Sequence, residues 1–262
     1  MLVATLGDAL LDVIVQLREP FEAGADALAT TKTGAGGQAA NVAAWCVAVG
    51  AEARCVAKRG DDAAGRLVSS ELETLGVELA GPVEGRGGVV VSIVGPDGER
   101  TMASDRGSAP SLAPRDLDPD WFACDCLHIS GYALLESPIA TAVLHAVELA
   151  RGARVSVDLS PWTTIRRYGA GRLRELLVRL APEVVFGNEQ EWRELGTLEA
   201  TSVLKRGADG FAVDGEVWPA QATEVVDTTG AGDALAAGFL VGGPELAAEA
   251  AGRCVAKLGA MP

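Results

Sequence analysis

Basic residues are scarce in this chain: 22 Lys and Arg stand against 36 Asp and Glu, a formal net charge of −14. The summed field of such a protein repels nucleic acid and anionic membrane alike, so neither is expected as a partner. Any phosphate site has to be built locally, against that field. No apolar run approaches the roughly 20 residues that cross a bilayer. The N-terminus lacks a basic leader, places Asp8 and Asp12 in its first apolar stretch and has no small-residue cleavage pattern, so no export signal is expected. Five cysteines, an odd number scattered through apolar segments, argue against a disulfide framework and for buried thiols in a reducing cytoplasm. Internal repeats and low-complexity linkers are missing. So is any G-x-x-x-x-G-K-[ST] string, which disfavours a P-loop ATPase.

What the chain does have is a large apolar fraction, 48% of 262 residues, punctuated by 32 Gly and 12 Pro. That composition and length suit one α/β domain with a real core and many tight loops. Residues 2–6 and 13–17 are β-favouring, and the second run is expected to leave the main sheet. The polar, Thr-rich stretch 26–33, with 89–94 and 100–104 flanking a Pro96-Asp97-Gly98 turn, reads as exposed antiparallel strands of a small separate sheet. Residues 39–49 are apolar on almost every side, as in a buried helix, and 62–75 form a more amphipathic one. From Leu127 the chain alternates strand 127–130, helix 137–151, strand 154–159, helix 165–180, strand 183–186 and a short helix from 189, the βαβ rhythm of a parallel sheet. A last strand near 224–226 is expected before helix 231–241. Ligands of such sheets sit beyond the carboxyl ends of the strands, so Asp158, Asn188 and the Lys205-Arg206-Gly207 turn are expected to face one crevice.

The strongest chemical signal is Asp227-Thr228-Thr229-Gly230-Ala231-Gly232-Asp233, a small-residue turn opening a helix. Gly230 and Gly232 allow close backbone approach, and the free N–H groups of the helix start make an anion site. A carboxylate in that place, Asp233, suits a general base that deprotonates a hydroxyl beside the phosphate it attacks.

The string DTTGAGDAL resembles the C-terminal signature of the ribokinase (PfkB) family of sugar and nucleoside kinases, and Gly36-Gly37-Gln38-Ala39-Ala40-Asn41 is similar to its N-terminal glycine pair. The resemblance implies a three-layer α/β/α fold with a mostly parallel central sheet, residues 1–262 as one domain, and a small β-lid from about 13–33 and 88–104. It implies ATP and Mg²⁺, with Asp233 as base beside Gly230, Ala231 and Gly232. A sugar is implied at Asp12, Gly36, Gly37, Gln38 and Asn41, with Glu136 a weaker match. The nucleotide side is implied at Asn188, Lys205, Gly207, Gly210, Thr228 and Gly232. Asn188 and Glu191 are implied to order the water shell of Mg²⁺, Asp227 and Thr229 to begin a K⁺ site, and the lid to form a homodimer.

Singly, these residues have plainer readings: Asp12 as a turn or edge residue, Asn188 as an N-cap, Glu191 and Glu136 as acids near helix N-termini. Arg100, Arg106 and Arg166 would meet an acid group on a substrate, or simply face solvent. Three rival functions remain. A nucleoside acceptor suits the same base. Gly34-Ala35-Gly36-Gly37-Gln38-Ala39 also fits the G-x-G-x-x-A dinucleotide pattern, with Glu52 downstream, but the stretch before it is too polar for the buried first strand a hydride-transfer enzyme needs. A non-catalytic sensor of sugar or nucleotide is the third. Cys124, Cys126 and His128 alternate along one strand, which suggests a metal, although a core strand explains them better.

Overall fold

The computed structural model describes residues 1–96, 100–159 and 161–262. In chain order the elements are β1 Leu2–Leu6, β2 Leu10–Leu17, β3 Ala29–Gly36, α1 Gln38–Ala48, β4 Glu52–Val56, α2 Ala63–Thr74, β5 Glu78–Ala80, β6 Val89–Val94 and β7 Arg100–Asp105. They continue with β8 Cys126–Ser130, α3 Ile139–Leu149, β9 Arg154–Asp158, α4 Trp162–Tyr168, α5 Ala170–Leu180, β10 Val184–Asn188 and α6 Glu189–Leu195. The last are β11 Thr201–Lys205, β12 Phe211–Val213, β13 Glu216–Trp218, α7 Ala231–Gly242 and α8 Pro244–Val255.

Nine strands form one sheet in the order β13-β12-β11-β10-β9-β8-β1-β4-β5, parallel from β11 to β5, with β12 and β13 added antiparallel at one edge. Strand residues alternate between two cores, as a period of two requires. Val3, Cys55, Cys126 and Phe186 face the core made with α1, α2, α7 and α8. Leu6, Val56, Ile129 and Val185 face the core made with α3, α4, α5 and α6. The result is three layers. The strand order reverses at β1, which has β8 on one side and β4 on the other, and this puts a crevice beyond the carboxyl ends of the central strands.

A second sheet holds β3-β2-β6-β7. Two pairings are antiparallel as expected, but β2 and β6 run parallel, because α1 to β5 intervene and return the chain in the same direction. Asp97 and Gly98 of the expected turn lie outside the described residues. The β3 strand, exposed over residues 29–33, belongs to this antiparallel-edged sheet and not to the parallel one, so Gly34 to Ala39 is no dinucleotide turn.

Other expectations need correction. Residues 224–226 form no strand: all three are exposed, and the chain here is tied by the N–H groups of Val226 and Asp227, which share the Val255 carbonyl at 2.7 and 3.2 Å. The 165–180 helix is two, broken at Gly169, whose φ of 105° no helix can hold. All five cysteines are free, and Cys126 and His128 are wholly buried, with His128 Nδ1 2.9 Å from Ser156 Oγ. Among the described residues no group of three or more His, Cys, Asp or Glu is arranged to hold a metal, and no helix is long and apolar enough to cross a membrane.

The chain end is anchored to the core. Trp45, fully buried in α1, donates its indole N–H to the Ala260 carbonyl at 2.7 Å. Trp45→Phe removes that donor, leaving the carbonyl only the Cys254 thiol at 3.8 Å, and also removes part of a buried ring; it is expected to cost about 1–3 kcal/mol in urea unfolding.

Candidate active site

The carboxyl ends of five parallel strands deliver the site. Register sets Ser130 of β8 beside Asp158 of β9, and Asn188 of β10 beside Lys205 of β11. Lys205 Nζ donates to Asp158 Oδ1 at 2.6 Å, with the Asp158 side chain fully buried. Burial alone would lower the Lys205 ammonium, but the charges of Asp158, Glu191 and Asp233 hold it above its usual value. Burial raises Asp158, and Lys205 opposes this. One cation thus keeps three carboxylates together.

The first turn of α7 completes the cluster. At Gly230, φ 77°, no side chain caps the helix; the Ala231 N–H bonds the Thr228 carbonyl at 3.3 Å, which leaves those of Gly232 and Asp233 to the crevice. A Cβ on Gly230 would meet Ala260 at 2.5 Å, and one on Gly232 would sit 3.3 Å from Lys205 Nζ. The turn is therefore glycine-rich because the chain end and a lysine occupy the space. Ammonium and helix start together form the local positive site that a −14 chain requires. Asp233 stands in that first turn. Burial chiefly, then the charges of Asp158 and Asp12, push its carboxyl up to about 7, against the pull of Asn41 and Lys205.

The glycine pair lies opposite and is joined to this turn directly. Asn41 Nδ2 donates to Asp233 Oδ2 at 2.7 Å, a bond between residues 192 apart in sequence. Gly36 leaves room for Asp12: a Cβ there would lie 2.2 Å from the Asp12 carboxyl carbon. Gly37, at φ 95°, leaves room for the Asp8 carbonyl, which its Cβ would meet at 2.5 Å. Gln38 Oε1 accepts from Ser130 Oγ at 2.6 Å. Burial raises Asp12 to about 6, partly offset by Arg100.

Asn188 and Glu191 satisfy one another as a capping box: Glu191 N–H to Asn188 Oδ1 at 2.9 Å, and Asn188 N–H and Nδ2 to the two Glu191 oxygens at 2.8 Å each. Burial still pushes Glu191 up to about 7. With both oxygens engaged, this pair fits a divalent cation through water and not by direct ligation. Asp158 Oδ2 and Asn41 Oδ1 are buried without a hydrogen-bond partner among the described residues, free to accept from such a water or from a bound hydroxyl.

Some expected residues are less engaged. Thr228 and Gly207 are exposed. Gly210, at φ 81°, is needed by the β12–β13 hairpin, since a Cβ would strike the Trp218 carbonyl at 2.1 Å. Glu136 is exposed, and its charge reaches Arg106, the residue that grips Asp8. Glu136 lines a cavity of about 370 Å³ with Thr164, Arg167, Tyr168 and Arg172. Asp8 and Tyr132 were not anticipated. Arg106 grips Asp8 with two bonds, 2.7 and 2.9 Å, and lies 5.9 Å from the Tyr132 ring centroid. Burial, then the charges of Asp233 and Asp8, push the Tyr132 phenol up to about 12. The Gly7-Asp8 step off β1 was the available sequence signal for Asp8. Arg166 pairs with Glu194 and faces Trp162, away from the cluster.

Lys205→Met is expected to cost about 3–5 kcal/mol, because it leaves Asp158 buried without its cation. Urea unfolding at pH 8 and pH 5 checks it. The loss is larger at pH 8, since Asp158 in the variant takes up a proton as pH falls.

The profile of the pfkB family carbohydrate kinases matches residues 1–261. The chain is 31% identical to the ATP-dependent ribose-1-phosphate kinase of Halopiger xanaduensis, over 96% of this chain and 90% of that protein. It is 31% identical to a 5-dehydro-2-deoxygluconokinase of Listeria monocytogenes, over 91% and 82%. In fold it matches the crystal structure of adenosine kinase from Sinorhizobium meliloti, with a TM-score of 0.85, 25% identity, and 99% and 95% of the two chains covered. With a match over nearly its full length and two-signature glycine turns facing one crevice, the chain belongs to the pfkB family of carbohydrate kinases.

Proposed function

We propose that this kinase transfers the γ-phosphoryl group of ATP to a primary hydroxyl of a sugar or sugar-like molecule, with Asp233 as general base. The observation that carries the reading is the 2.7 Å bond from Asn41 to Asp233, which puts the acceptor-side glycine helix and the anion-binding turn in one crevice. Asp12, Gly36, Gly37, Gln38 and Asn41 hold and orient the acceptor. Asp233 takes its proton as the hydroxyl attacks in line. The N–H groups of α7 and the Lys205 ammonium stabilise charge on the moving phosphoryl. Mg²⁺, which Asn188 and Glu191 would hold through water, would neutralise phosphate charge when bound. The β2–β3–β6–β7 sheet acts as a lid that excludes water, and its fully exposed β7 strand is the surface for a homodimer.

The relatives act on a ribose phosphate and on a keto-deoxy sugar acid, which supports a sugar acceptor. The likeness to adenosine kinase supports a nucleoside as the second reading. A screen of sugars, sugar phosphates and nucleosides for coupled ADP release tests both. Binding of either ligand with no turnover leaves a sensor and removes the kinase reading.

Asp233→Asn is expected to lower the rate about 10²- to 10⁴-fold with nucleotide affinity largely retained. In the wild type, the rate falls as pH drops below about 7, where Asp233 becomes protonated. The same shift has a stability sign. The folded-state carboxyl binds its proton more tightly than the unfolded one, so the wild type loses stability as pH rises from the ordinary carboxyl value of 3.8 to about 7. Asp233→Asn therefore melts above the wild type at pH 8, with the difference narrowing at pH 5 and closing at about pH 4.

A further inference from the structure

The resemblance implies a monovalent cation at Asp227 and Thr229, but the oxygens of both residues already accept hydrogen bonds. Asp227 Oδ1 accepts from the Thr229 N–H at 2.9 Å and from its hydroxyl at 2.6 Å, and Oδ2 accepts from the Gly259 N–H at 2.9 Å. The Thr229 carbonyl accepts from the Cys254 thiol at 3.3 Å. The place is also already positive. Arg100, at the start of β7, donates to the Thr229 hydroxyl and lies 3.8 Å from Asp227 Oδ1. Lys32, on β3 at the other edge of the same sheet, donates to the Leu258 carbonyl at 2.7 Å, next to Gly259. Lys257 adds a third cation to that turn, close enough to Lys32 to feel its charge. A potassium ion would have to displace N–H donors and sit among like charges.

We propose that Arg100 stands where relatives of this fold take a monovalent cation, so that the small sheet brings the cation with it and turnover needs no K⁺. Arg100 is then a positioning residue. Its guanidinium holds Thr229 and Asp227, the turn that leads into Gly230 and the α7 N–H groups, and its charge reaches Asp12 on the acceptor side. The two edge strands grip one structural unit from both sides, Arg100 on the turn and Lys32 on the chain end packed under it. Seating of the small sheet is thereby coupled to order in the anion-binding turn. Because the turnover arm rests on the kinase reading, the test includes an arm that does not.

The full chain is melted in potassium chloride and in tetramethylammonium chloride at equal ionic strength, as wild type, Arg100→Ala and Arg100→Lys. Expected are no K⁺-specific shift in the wild type or Arg100→Lys, and a K⁺-specific rise in the melting temperature of Arg100→Ala. In coupled ADP release, wild-type rates are the same in both salts. Arg100→Ala loses kcat by about ten- to a hundredfold, the value of one charge-assisted hydrogen bond, and K⁺ restores part of it. A K⁺-specific rise in the wild type, or none in Arg100→Ala, overturns the proposal whether or not any acceptor is turned over. Stimulation of wild-type turnover by K⁺ overturns it as well.

Discussion

Lys205 is the charge on which the rest of the site depends. Three carboxylates, Asp158, Glu191 and Asp233, converge on one crevice in a chain whose overall field is strongly negative. Without a central cation such a cluster would repel itself or take up protons. Lys205 is held by the buried Asp158 and rests against Gly232, so the charge that permits the cluster also faces the anion-binding turn. Stability and chemistry therefore share one ammonium group. Burial first, and the charge of Asp158 after it, leave Asp233 basic enough to accept a proton near neutral pH.

Around that charge, the glycines record where other atoms must sit. Gly36 yields to the Asp12 carboxylate, Gly37 to the Asp8 carbonyl, Gly230 to Ala260 and Gly232 to Lys205. Each absent side chain marks a contact between segments far apart in sequence. The same economy governs the small sheet, which reaches the main body through cations: Arg106 on Asp8, Arg100 on Thr229, Lys32 on Leu258. These cations add to the packing of α2 against β2 and β3 and to the bond from the Ala35 N–H to Glu71 in seating the open four-stranded sheet over the crevice.

Legibility in the sequence followed the physics of periodicity. The α1 and α7 helices, apolar nearly all round, and the strands β8, β9 and β10 were readable because short buried, β-favouring segments alternate with helical ones. Residues 224–226 have the same β-favouring character yet stay exposed, and none of the described strands pairs with them. The short β12 and β13 strands, three residues each, are below the length at which a period shows. Gly169 splits a helix whose apolar spacing runs on past the break. Glu136 matched a short pattern, but its exposed place beside Arg167 and Arg172 depends on where α4 lands, which no local signal carries.

By itself, the sequence determined the layered parallel fold, the two glycine turns and the acid behind the second, because backbone freedom, helix starts and apolar periodicity are local properties. Only the tertiary structure decided that Lys205 neutralises the carboxylates and that Arg100 and Lys32 fill the surroundings of Asp227. Those outcomes depend on groups that meet across 47 residues for Lys205 and Asp158, 129 for Arg100 and Thr229 and 226 for Lys32 and Leu258, and electrostatic pairing over such separations leaves no period to read.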